Sequence, residues 1–164
     1  MLEIAVTLPR SAFSARDAAR AGDVWRMFQE VAVEASARGG WPPARYREER
    51  AAFAVRSMSV CHHREAVFGE PIAAATWVSR MRRETLSTRE VRARCRGELV
   101  ASARQEWVFV RDGMVPSRAP KQLCDVFAAE PGPEGDAAPI VAGCAEPGPS
   151  CDPEVLTFSA WWTW

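Results

Sequence analysis

Three carboxylates, Asp23, Glu30 and Glu34, stand at i, i+7 and i+11 of a proline-free stretch, a spacing that places them along one side of a helix with Met27 between them. An acid held against apolar surface on such a stripe is a candidate general base or nucleophile, so Glu30 and Asp23 are candidate catalytic residues. The alternative is a solvated helix edge on which the same acids pair with Arg26 and Arg38. Asp17, near the start of the stretch, is either a third catalytic acid or a carboxylate that favours the helix dipole. Gln29, beside Glu30, is placed to orient a water or a carbonyl. Trp25, Met27 and Phe28 on the same segment, with Arg56 and Trp77 further on, are candidates for lining a substrate groove, and the tryptophans serve equally as core.

His62 and His63 are adjacent on a strand pattern and therefore point to opposite faces, which argues against a shared metal ion. No metal and no cofactor is expected. Cys61 is either a nucleophile partnered by His63 or a small buried hydrophobe. The arginines of 80–83 and 89–96 either meet phosphates or an acidic partner, or form a solvated strand face.

These residues need a scaffold, and 164 residues with 48% hydrophobic and 26% charged suffice for one core. Twenty-one basic residues balance twenty-one acidic ones, so no net field favours nucleic acid or an anionic membrane, and neither is expected as a partner. Five cysteines without a C-x-x-C pair read as reduced thiols. The start is too short and polar for a signal peptide and no run of about 18 apolar residues occurs, so the expected location is cytoplasmic.

Leu2, Ile4 and Val6 alternate with Glu3, Ala5 and Thr7 as in a half-buried strand that Pro9 stops. The spacing predicts a helix over 15–38, with Ser11 or Ser14 as its cap, an apolar face of Val24, Phe28, Val31, Ala32 and Ala35, and a stop at Gly39-Gly40. Four period-two segments follow, through Phe53 to Val60, Ile72 to Val78, Thr85 to Cys95 and Leu99 to Val110, with turns at Gly69-Glu70-Pro71, Arg96-Gly97 and Asp112-Gly113. A lone long helix needs a surface for its apolar face, and a curved sheet supplies one. Residues 131–153, rich in Pro, Gly and Ala, read as a linker, after which 155–164 alternate again.

The runs Met27-Phe28-Gln29-Glu30-Val31-Ala32, Phe53-Ala54-Val55-Arg56-Ser57-Met58, Phe68-Gly69-Glu70-Pro71, Thr76-Trp77-Val78, Gly97-Glu98-Leu99-Val100-Ala101, Trp107-Val108-Phe109-Val110 and Pro116-Ser117-Arg118-Ala119-Pro120 occur in order with strand-length gaps. Over residues 2–127 they resemble the first hot-dog repeat of acyl-ACP thioesterases. The resemblance implies an α+β hot-dog fold, a curled antiparallel sheet wrapped around one long central helix. The expected division is a hot-dog domain at 1–128, a flexible linker at 129–153 and a strand at 154–164. That strand would open a second repeat or pair with a partner.

The implied activity is hydrolysis of acyl thioesters carried on acyl carrier protein or coenzyme A, by a homodimer or a double hot-dog. In the family an Asp and an Asn-x-His motif lie on the helix of the second repeat, and the chain ends before such a motif. The alternative reading is therefore a non-catalytic acyl-binding module, or half of an enzyme whose catalytic residues lie on another segment or chain. The related dehydratases need a histidine on or beside the helix, and none is present there.

Overall fold

The computed structural model describes residues 1–133, and the strand expected at 154–164 lies outside them. In chain order the elements are β1 (Leu2–Val6), a 3-10 turn at Arg10–Ala12, α1 (Ala21–Arg38), α2 (Pro43–Glu48), β2 (Ala51–His62), β3 (Ile72–Arg82), β4 (Leu86–Cys95), β5 (Glu98–Arg111), β6 (Val115–Pro116) and α3 (Lys121–Val126). All strand pairs are antiparallel, in the order β1-β3-β4-β5-β2, with β6 added to β5 beyond the end of β4. This is the curled antiparallel sheet expected of a hot-dog fold.

Local chemistry accounts for the hairpins. Arg96 and Gly97 both take positive φ, 52° and 85°, and close β4 onto β5 with Cys95 opposite Glu98, the two-residue turn whose twist matches a hairpin. Pairing is interrupted at Val55/Ser57, Val78/Arg80 and Ala93/Arg94, and such bulges bend strands and increase their twist. On the inner face Ala74 is opposite Ala93, Ala93 opposite Ala101 and Val91 opposite Ala103. These short side chains bring the sheet close to α1, whose Val24, Met27, Phe28, Val31 and Ala35 complete one core with Ile4, Ile72 and Val100. Gln105, fully buried on β5, donates to the Phe28 carbonyl at 3.0 Å and accepts from Trp107 Nε1 at 3.2 Å, tying helix to sheet.

The helix begins at Ala21 rather than at residue 15, six residues later than the spacing predicts. Residues 15–20 are instead held by backbone bonds to distant loops: Ala18 bridges Val67, Ala19 N–H donates to the Ala66 carbonyl and Arg20 N–H to that of Ala12. Helix propensity is worth only tenths of a kcal/mol per residue, and burial of Ala12, Phe13 and Ala18 overrides it. Arg20 occupies the N-cap position without a side-chain capping bond, so neither Ser11, Ser14 nor Asp17 caps the helix. A second apolar cluster, of Trp41, Val78, Phe109, Leu123 and Phe127, closes the other half of the inner face beneath α2 and α3. Beyond α3 the Glu130 N–H still donates to the Val78 carbonyl at 2.9 Å.

Candidate functional site

The end of β2, the start of β5 and the N-terminus of α1 converge on a cleft of 640 Å³. One wall is the loop that carries Ser14, Arg16 and Ala18 to Arg20; the other is His62 to Ala66; Val24, Val100 and Ala101 form the floor. The walls are joined by the Ala18–Val67 bridge and by Arg16 to Glu65 at 2.6 Å.

A helix leaves its first amides without intrahelical partners, and in α1 the Arg20 carbonyl serves only Asp23 and Val24. The Ala21 and Gly22 N–H groups make no hydrogen bond among the described residues, and the space a Cβ would fill at Gly22 is open. Two amides on the positive end of a five-turn dipole favour an oxygen that gains negative charge.

Polar groups around the rim are fixed in place. Arg64 donates a hydrogen bond to Glu70 at 3.0 Å and stands in an ion pair with Glu98 at 3.1 Å. The Arg64 hydrogen bond, then the Val67 N–H, hold the Glu70 carboxyl below its usual range. His63 Nε2 is 3.0 Å from Ser102 Oγ. Burial, then the neighbouring His63, lowers the pKa of His62. The unfolded chain therefore takes up a proton more readily at His62 than the fold does, so this contribution to stability is full above the unfolded value of about 6.5 and lost as pH falls through the folded one. His62→Asn is expected to lose less melting temperature than the wild type between pH 7.5 and pH 5; equal losses would show that His62 does not couple to folding.

Asp17 lies on the loop between two cleft residues, Arg16 and Ala18, with φ of 63°. Its carboxylate pairs with Arg10 at 2.8 Å and its carbonyl accepts from Phe68 N–H at 2.9 Å. The helix stripe is not gathered into the cleft. Asp23 pairs with Arg26 and Glu34 with Arg38, each at 2.8 Å, while Glu30 is exposed and makes no ion pair among the described residues. Gln29 and Trp25 are half-buried beside the core, in which Met27 and Phe28 are buried. Arg56 sits at the bulge of β2, exposed and 3.5 Å from Glu106, and Trp77 is buried under the Arg92 guanidinium, 5.2 Å away, on the face of the sheet opposite α1. Arg16, Arg20, Ala21, Gly22 and Arg64 escaped the sequence reading. The one signal for them was Gly22, a residue unfavourable in a helix, standing at the opening of an alanine-rich one.

No protein-family model matches the sequence, and no curated protein does. Solved structures do match. The gentisyl-coenzyme A thioesterase BH1999 is 13% identical with a TM-score of 0.69, over 77% of this chain and all of that one. A Thermus thermophilus thioesterase in complex with coenzyme A and zinc is 17% identical with a TM-score of 0.63, over 76% of this chain and 90% of that one. A protein from Lactobacillus plantarum described as an oleoyl thioesterase is 13% identical with a TM-score of 0.70; the match covers 85% of this chain but 58% of that longer one. The chain has the hot-dog fold. Among the described residues no helix is long and apolar enough to cross a membrane.

Proposed function

We propose that the chain binds acyl thioesters in the cleft at the start of α1 and hydrolyses them. The observation that carries this reading is the start of α1, where Ala21 lines a 640 Å³ cleft rimmed by Arg16, Arg20 and Arg64 and the N–H groups of Ala21 and its neighbour Gly22 make no hydrogen bond among the described residues. The thioester oxygen takes the two N–H groups. A water activated by a carboxylate adds to the carbonyl carbon, the carbon–sulfur bond breaks, and the thiolate leaves with the proton the water gave up. Glu65 lines the cleft and is paired with Arg16, while Asp17 stands on the loop between the cleft residues Arg16 and Ala18 and is our choice for the base. The arginines suit the phosphates of a pantetheine-bearing carrier, and similarity to a thioesterase solved with coenzyme A favours that carrier over acyl carrier protein.

Among the described residues β2, twelve residues long, pairs only with β5, which leaves an edge for a second copy of the chain or a second hot-dog repeat. A second reading, an acyl-binding half whose chemistry is completed elsewhere, draws on the 58% coverage of the Lactobacillus protein and on the position of Glu30 and Asp23 outside the cleft. Glu30 would then act only across such an interface. Incubation of the purified chain with acyl-CoA and acyl-ACP of several lengths, with free thiol followed, separates the readings. Thiol release supports hydrolysis, and saturable binding without release supports the acyl-binding half.

A further inference from the structure

The inner face of the sheet carries a charge that the cleft does not use. Arg89 continues the alternation of Cys95, Ala93 and Val91 on β4 and so faces the side of α1, with only 8% of its surface exposed. Its Nη1 donates to Thr76 Oγ1 at 3.1 Å, and its guanidinium carbon stands 5.4 Å from the centre of the Phe127 ring. No carboxylate among the described residues forms an ion pair with it. Glu130, the acid whose charge it feels, is bonded instead to the Met1 ammonium. Burial lowers the Arg89 pKa to about 10, against the opposing influence of Tyr46 and Glu130.

A guanidinium withdrawn from water ordinarily takes a carboxylate with it, because only a close pair offsets the lost hydration. Here Nη1 is engaged with Thr76, while the edge formed by Nε and Nη2 makes no hydrogen bond among the described residues. That edge has the fork geometry that grips both oxygens of a carboxylate. The Tyr46 hydroxyl, 2.9 Å from Ser36 Oγ, is near enough to act electrostatically on Arg89. We propose that Arg89, supported by Thr76 and Tyr46, is a binding site for a carboxylate, either a free carboxylic acid or the terminal carboxylate of an acyl group.

Thermal melting in sodium formate, against sodium fluoride at the same ionic strength and pH, tests the site without turnover. Fluoride is the control because it lacks the paired oxygens that a guanidinium edge grips. Saturating formate is expected to raise the wild-type melting temperature by about 4 °C or more relative to fluoride and to leave Arg89→Met unchanged. An equal response in both proteins, or none in the wild type, overturns the proposal. If Arg89→Met does not fold, wild-type crystals soaked in bromoacetate give the second measurement: a bromine anomalous peak beside Arg89 is expected, and its absence overturns the site. The source of the carboxylate is read from thiol release with monothioesters of dicarboxylic acids and methyl-ended thioesters of equal length. Faster release from the former assigns the site to the acyl terminus, and this arm alone rests on the thioesterase reading. Equal rates with the formate response intact assign it to a free acid.

Discussion

Phe28→Ala is expected to cost about 3–5 kcal/mol of stability and to lower the melting temperature by more than about 8 °C. Phe28 is fully buried in the middle of α1 and faces the inner surface of the sheet. The cost of such a truncation depends on how far the neighbours relax into the void. Across the interface stand Ala74, Ala93, Ala101 and Ala103, which have no side chain to move into it. Backbone movement is restrained as well, because the Phe28 carbonyl is held by Gln105. Val33→Ala, on the exposed side of the same helix, is the control, expected to change stability by no more than about 0.5 kcal/mol. Denaturant melts of the two variants make the comparison. Similar small losses would mean that α1 is not packed into the sheet as described.

The second large effect concerns chemistry. Asp17→Asn is expected to reduce kcat/KM for acyl thioesters by a factor of about 10²–10⁴, the usual contribution of a positioned base, with substrate binding retained. Asn is the informative replacement because it tolerates the left-handed backbone that Asp17 adopts and preserves the side chain's shape. The Arg10 pair lost with the charge is half-exposed, worth about 1 kcal/mol or less, so the variant should fold. Glu30→Gln and Asp23→Asn belong in the same series. Full turnover in Asp17→Asn with collapse in Glu30→Gln would move the base to the helix edge and, with it, the active site to an interface with another chain or repeat.

How far the sequence reveals this molecule depends on whether an element's cause is local. The buried face of α1 and the Arg96-Gly97 turn were legible because periodicity and a glycine at positive φ report directly on local backbone and burial. The start of α1 was not, since what stops the helix is a pairing of 18–19 with 66–67 that no local pattern announces. α2 was not legible because its six residues bury no side chain fully; Tyr46 packs on Trp41 and Phe53, contacts made only after the chain has folded. The cleft shares this difficulty. Its walls are loop segments brought together across the fold, so the acids on the helix stripe, regular in spacing, attracted attention that belongs equally to the irregular 14–20 loop.

The most direct test of the account is a crystal structure with an acyl-CoA analogue in which a methylene replaces the thioester sulfur. The account predicts its carbonyl oxygen about 2.7–3.1 Å from the amides of Ala21 and Gly22, with the pantetheine arm passing Arg16 and Arg64. An analogue bound elsewhere, with those amides still facing solvent, would contradict it.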